Sequence, residues 1–247
     1  LLPGQASGAG DAATTLTPIV LQGVRSTSTI GAPPAPYAGG QIATGGQVGM
    51  LGNRDVMDTP FSQSNYTRKL IEDQQAQTVN EALANDPSVI LASKNSWVMD
   101  GGVIRGQPAH AYVGSRSLNG LPGMAPLQYP STDYIERIEL LKGPSGLLNG
   151  MQSGAYNLGG SINLVTKQAE DDPITDVTTR YTSEFQLGAH VDFGRRFGDD
   201  NEFGVRFNGS LSGGNTPVDT QTNRDGVAAL NLDYRGDRLR ISADVAH

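Results

Sequence analysis

Every second residue is apolar in four successive segments near the C-terminal end of the chain. Leu187, Ala189, Val191 and Phe193 alternate with Gly188, His190, Asp192 and Gly194, and Phe203, Val205, Phe207, Gly209 and Leu211 alternate with Gly204, Arg206, Asn208, Ser210 and Ser212. The rhythm recurs at Ala228, Leu230, Leu232 and Tyr234 and at Leu239, Ile241, Ala243 and Val245, with Val177–Glu184 as a weaker candidate before them. A period of two puts one side-chain set on each face of a strand. Strands in soluble sheets are usually about five or six residues long. These run to about ten, the length a tilted strand needs to cross a bilayer. The links agree: Gly198-Asp199-Asp200-Asn201 and Arg235-Gly236-Asp237 are tight, while the stretch from Gly213 to Asp225 is long, the turn-and-loop asymmetry of a transmembrane barrel. A soluble antiparallel meander with one wet face is the competing reading.

Residues 51–172 follow a different pattern, that of a compact mixed domain. Thr78-Val79-Asn80-Glu81 is a capping box that starts a short helix with Val79, Ala82 and Leu83 on one face, and Asn85-Asp86-Pro87 ends it. Strand-like runs follow at Val103–Arg105, Ala111–Val113, Tyr134–Leu141 and Ser161–Thr166. Ile135, Ile138, Leu140, Leu141, Ile162, Leu164 and Val165 supply the expected core. A second short helix is predicted from Pro144 to Asn149, before Gly150.

Residues 1–50 hold 10 Gly and 5 Pro but only two charges, Asp11 and Arg25, and read as a flexible arm. One β-prone, uncharged stretch interrupts the arm: Leu16, Thr17, Pro18, Ile19, Val20, Leu21, Gln22 and Gly23, continuing to Val24. It reads either as an edge strand on the body or as a docking peptide that adds a strand to a partner's sheet.

Composition narrows the chemistry. A net charge of −7 lacks the basic surplus of a nucleic-acid binder. With no Cys, thiolate metal sites, iron–sulfur clusters, disulfides and catalytic thiols are excluded within these 247 residues, and three scattered His (His110, His190, His247) make a His-rich metal site improbable. No run of about 18 apolar residues exists, which leaves a barrel as the route across a membrane. Gly143-Pro144-Ser145-Gly146 lacks the Gly-Lys-Ser/Thr of a nucleotide loop, and no spacing of Ser, His, Asp and Glu forms a triad or a carboxylate pair. No catalytic residues and no enzyme activity are expected.

The run Tyr134-Ile135-Glu136-Arg137-Ile138-Glu139-Leu140-Leu141-Lys142-Gly143-Pro144-Ser145 strongly resembles the plug domain of TonB-dependent outer-membrane receptors, most of all their ferric-siderophore branch. Asp58-Thr59-Pro60-Phe61-Ser62, Leu70-Ile71-Glu72-Asp73-Gln74-Gln75-Ala76, Thr78 to Leu83, Ile104-Arg105-Gly106, Leu118-Asn119-Gly120-Leu121-Pro122 and Gly159 to Lys167 fall in the family's order. Ser88 stands where the family usually has Gly, and Asn149 where Tyr is common, departures confined to turns.

The resemblance implies an α+β plug (a small mixed sheet with short helices) at 51–172, an arm at 1–50 with the TonB box at about 16–24, and at 173–247 the first five or so antiparallel strands of a transmembrane β-barrel of the 22-stranded type. It implies a monomer in the outer membrane of a Gram-negative bacterium, arm and plug base facing the periplasm, that binds a ferric siderophore and imports it with energy from TonB. Iron stays wrapped by the siderophore, so no protein-held metal or cofactor is expected. Other ligands (haem, cobalamin) or a signal-transducing role are the alternatives, with a soluble β-rich module behind them. Arg105, Gln107, His110, Tyr112, Met124, Gln128 and Tyr129 are the expected ligand contacts, although Arg105 serves equally well to pair with a barrel carboxylate and Met124 to pack under a loop. Arg137 and Lys142 are expected to hold the plug to the barrel wall, with acidic partners on strands beyond His247. The chain begins without a leader, so a signal peptide is expected to be absent or already removed. Five strands cannot close a barrel whose smallest bacterial form has about eight, so the chain is expected to be part of a longer receptor.

Overall fold

The structure, a computed structural model, describes residues 34–91, 102–109, 115–126, 131–150, 158–182, 185–215 and 219–247. The plug opens with a two-stranded antiparallel unit, β1 (Gly45–Gln47) and β2 (Asn53–Asp55). β3 (Ser62–Thr67) leads into α1 (Arg68–Asp73), and α2 (Val79–Leu83) follows. The capping box at α2 forms as expected: Glu81 N donates to Thr78 Oγ1 at 3.3 Å, and the Glu81 carboxylate accepts from Thr78 N at 3.3 Å and from Gln77 N at 2.6 Å.

β4 (Val89–Leu91), β5 (Gly102–Ile104) and β6 (Gln107–Pro108) make a small antiparallel sheet. β7 (Arg116–Leu118) and β8 (Leu121–Pro122) form a hairpin that joins β9 (Ile135–Lys142), α3 (Gly146–Asn149) and β10 (Gly160–Thr166). The plug's main sheet has the order β3-β9-β10-β7-β8, with β7 and β10 parallel and the other pairs antiparallel. α3 begins two residues later than the sequence predicts, and the expected strand at Ala111–Val113 lies outside the described residues.

β9 decides how the plug packs. Ile138 and Leu140 point into the main core with Ile162, Leu164, Leu83 and Val79, while Leu141, on the opposite face, packs with Val48 and Leu148. That second face corrects the boundary of the arm. Residues 34–50 lie on the plug, with Ala43 and Val48 fully buried, Ala43 N bonded to Asn65 O, and Ile42 bridged to Tyr66. The glycines here serve close approach: a Cβ on Gly45 would lie 2.0 Å from Arg54 O.

The C-terminal sheet is a five-stranded antiparallel meander of β11 (Ile174–Thr182), β12 (Gln186–Phe197), β13 (Phe203–Asn215), β14 (Thr222–Arg235) and β15 (Arg240–Ala246). Its burial is inverted relative to a soluble sheet. Val177, Leu187, Leu211 and Val245 are 69%, 63%, 72% and 69% exposed, whereas His190, Asp192, Arg206, Asn208, Asn231 and Asp233 are buried against the plug. Phe197 pairs with Phe203, whose ring lies 5.1 Å from that of Tyr234, and at the other end Tyr181 stacks edge-on against Phe185 at 6.4 Å. The register from Leu187 to Phe197 covers eleven residues, or ten steps along the strand. At about 3.4 Å per residue and a tilt of about 40°, that is an apolar band of about 25 Å between aromatic girdles, the dimension of a barrel's lipid-facing belt.

Candidate functional site

Arg105 and Gly106 form the two-residue turn between β5 and β6, with φ of 50° and 81°. Arg105 N donates to Ser88 O at 2.9 Å, and its exposed side chain lies over Gly143. Gln107 is half-buried at the start of β6, and Met124 is exposed just after the β7–β8 hairpin. His110, Tyr112, Gln128 and Tyr129 lie outside the described residues, as do Leu16 to Gly23. Arg105 and Gln107 thus share one turn, and Met124 sits on a different hairpin.

The ends of the sheet have different neighbours. β10 runs from Gly160 toward Thr166 and passes through Lys167–Pro173 into β11, so the junction with the barrel strands lies at its C-terminal end. The tight links Gly198–Asn201 and Gly236–Leu239 lie at that end too: Arg196 and Arg235, which flank them, both bond Ala169 O. β7 is parallel to β10 and β8 runs back beside it, so Ser115 and Gly123 lie at the opposite end. Gly143 and the Arg105 turn are there as well.

Among the described residues, which include only the first five barrel strands, the groups that Arg137 and Lys142 meet are in the plug. Arg137 faces the residue 34–49 segment, donating to Gly45 O at 3.2 Å and Pro34 O at 3.0 Å. Lys142 is on the core face of β9 and pairs with the buried Asp86 carboxylate at 2.7 Å. Asp86 also accepts from Tyr66 OH and from the amide and hydroxyl of Ser88. Burial alone would raise the Asp86 carboxyl, but the hydrogen bonds from Lys142 and Ser88 hold it well below the usual carboxylate range. Burial first, then the Asp86 charge, pushes the Tyr66 phenol up. On the other face of β9, burial raises the Glu139 carboxyl against the opposing effects of Asn163, Arg137 and the Gln47 amide.

The contacts between plug and barrel strands come from residues whose role the sequence did not disclose. Lys167 Nζ pairs with Asp192 at 3.0 Å, and Asp192 also takes two hydrogen bonds from Arg206, at 2.5 and 2.8 Å. Arg206 continues to Gln168 O at 3.2 Å. Arg196 and Arg235 each reach Ala169 O at 3.0 Å, and Arg196 holds Asp233 at 2.8 Å. Three arginines on three adjacent strands thereby grip two consecutive carbonyls of the junction, around a fully buried Ala169.

Further along, Arg180 pairs with Asp133, and Asp244 accepts from Asn119, Thr166 and Asn231 at 2.8 to 3.0 Å. Burial raises the Asp133 carboxyl, but the Arg180 bond and charge prevail and hold it below the usual range. Every barrel residue in this set except the exposed Asp244 is buried or half-buried, and those on β12 to β15 occupy polar positions of the alternating pattern. That polar alternation was the available signal; which plug group each would meet was not in it. Among the described residues no group of three or more His, Cys, Asp or Glu is arranged to hold a metal ion.

Residues 55–155 match the family model of the TonB-dependent Receptor Plug Domain. The ferrichrome receptor FcuA of Yersinia enterocolitica is 40% identical over 211 residues, covering 85% of this chain and 28% of that protein. The ferrichrome outer membrane transporter/phage receptor of Escherichia coli (strain K12) is 27% identical over 181 residues, 72% of this chain and 23% of its own. Among solved structures, BauA, the ferric preacinetobactin receptor from Acinetobacter baumannii, superposes with a TM-score of 0.80 at 42% identity, over 85% of this chain and 31% of that one. The chain therefore spans under a third of the length of these relatives, all of which are receptors or transporters. A plug matched in sequence, a barrel sheet turned apolar side out, and a relative's structure that fits both together agree: this chain belongs to the TonB-dependent receptors, of which it holds the plug and the opening barrel strands.

Proposed function

We propose that the chain is the N-terminal portion of an outer-membrane receptor that binds a ferric siderophore and imports it with energy delivered by TonB. The observation that carries this reading is the inverted sheet. Its buried ion pairs face the plug and its apolar face is open along a band of about 25 Å, so the plug sits inside a wall that only lipid can cover. Relatives named for ferrichrome and ferric preacinetobactin supply the ligand class.

The chelate binds at the plug end remote from the junction, where Arg105, Gln107 and Met124 lie, and His110, Tyr112, Gln128 and Tyr129 complete the expected contact set. The junction end, with its short turns, faces the periplasm. Pro34 lies toward the same end, bonded to Arg137, which pairs in register with Val165 one residue before β10 ends. That position of Pro34 supports the reading in which Leu16–Gly23 serves TonB from the periplasmic side. Iron remains a passenger held by its chelator, and no covalent bond is made or broken by the protein.

The test is binding and radio-iron uptake by the full-length receptor against a panel that starts with ferrichrome and ferric preacinetobactin and extends to catecholate chelates, haem and cobalamin. Binding of at least one ferric chelate is expected, with uptake lost and binding kept when residues 16–24 are deleted. A receptor that binds haem or cobalamin alone would overturn the ligand class, and unchanged uptake after the deletion would mean the TonB box lies elsewhere.

A further inference from the structure

Residues 34–49 cross the face of the plug sheet opposite the main core, and what holds them differs in kind from what holds that core. Arg137 donates to Gly45 O and Pro34 O, and Glu139, two residues on and on the same face of β9, accepts Gln47 N at 3.1 Å. Asn163 completes the carboxylate from β10 at 2.8 Å. A Cβ on Gly46 would meet Asn65 Oδ1 at 2.5 Å and Glu139 Cδ at 2.9 Å, so the strap lies directly on these polar groups. Beneath its continuation is a small cavity lined by Gln47, Ser117, Glu139, Asn149, Ser161 and Asn163. Asn65 Oδ1, buried against Gly46, has no hydrogen-bond partner among the described residues. The seam is polar and part-empty, and water can enter as the strap lifts and replace each bond it breaks. Val48, against Leu141 and Leu148, is the apolar anchor at its far end.

We infer that Arg137 and Glu139 are a two-residue clip that sets how often residues 34–49 lift from the plug, and that they are positioning residues for import with no part in chelate binding. This rests on the proposed function for the word import; the lifting itself does not. The strap is the first described segment of the chain, so a pull from its N-terminal side reaches the clip before it reaches the main core. Arg137 spans two carbonyls 11 residues apart, a geometry a lysine ammonium on one stem does not reproduce.

The experiment uses the full-length receptor with Arg137→Lys and Glu139→Ala, and separately the pair Gly46→Cys with Asn65→Cys, which a disulfide pins to β3. Hydrogen exchange of amides 41–49 is expected to rise about tenfold in each single variant, while amides 160–166 stay unchanged. In the oxidised pinned receptor exchange at 41–49 falls, radio-iron ferrichrome still binds within about twofold, and its uptake drops at least about tenfold until a reductant restores it. Unchanged exchange at 41–49 in both single variants, or full uptake by the oxidised pinned receptor, would overturn the clip. If the unsubstituted receptor fails to bind ferrichrome, the choice of ligand fails, and the exchange measurements still decide the clip.

Discussion

The plug sheet and the barrel sheet differ in the fate of their apolar residues: the plug buries them, and the barrel sheet turns them outward. In β9 and β10, Ile138, Leu140, Ile162 and Leu164 are inside; in β12 to β14, Phe207, Leu211 and Leu230 are outside and Asp192, Arg206 and Asn208 are inside. A period of two therefore identifies the faces of a strand without saying which one is the interior. Solvent decides that. In lipid the outward face has nothing to gain by association with the plug, so ion pairs and hydrogen bonds dominate the plug–barrel contact, with Ala229 and Val227 of β14 adding a small apolar one.

The sharpest way to break this contrast is to remove Asp192, which serves both Lys167 and Arg206. Asp192→Ala leaves two buried cations without their shared acid and is expected to destabilise the plug–barrel assembly by about 3–5 kcal/mol, read as a lowered midpoint of thermal unfolding of the full-length receptor. Next is the outward face. Leu230 lies midway along the apolar band, so Leu230→Arg is expected to cost about 2–4 kcal/mol in lipid, while Leu230→Asn costs less; folding yield into vesicles checks both. An equal tolerance of Arg and Leu at 230 would mean that the face is wet.

The smallest effect concerns two buried plug carboxyls of opposite sign. Asp86 titrates lower in the folded plug than when unfolded, so its contribution is present above the ordinary carboxylate value of about 4 and is lost as pH falls below it. Glu139 titrates higher when folded, so stability drains away as pH rises from about 4.5 through its folded value. Asp86→Asn should therefore weaken the plug at neutral pH and hardly at all in acid. Glu139→Gln, which keeps an acceptor for Gln47 N, should flatten the loss on going from acid to neutral. Thermal midpoints across that range distinguish the two slopes.

How much of this was legible in the sequence depends on the range of the interaction. The capping box at Thr78 and Glu81 closes within three residues and formed as read. The strands after Pro173 were legible because each carries its own alternation, and their paired register required nothing from elsewhere. The seating of residues 34–50 was not legible, because its partners, Arg137 and Glu139, lie about 90 to 100 positions away and its Gly45-Gly46 looks like slack chain when it is in fact tight packing. Arg137 and Lys142 were recognisable as cations needing partners. Among the described residues they meet two carbonyls and Asp86, one cation on each face of β9, and neither contact is signalled locally in the sequence. The ligand residues fared differently again: Arg105, Gln107 and Met124 have positions, while the other four lie outside the described residues.

The grip on Ala169 also bears on the order in which the receptor assembles. Its contacts close short loops: Lys167 to Asp192 spans 25 residues, Arg196 to Ala169 spans 27, and Arg206 to Gln168 spans 38. The strap's contacts with Arg137 and Glu139 close loops of 92 and 103. Loop closure grows with the logarithm of length, so the strap contacts cost about 1 kcal/mol more to bring together. Two hairpins of barrel wall are enough to complete the grip. With the whole chain present, loop closure therefore favours the grip on the junction over the contacts of the strap.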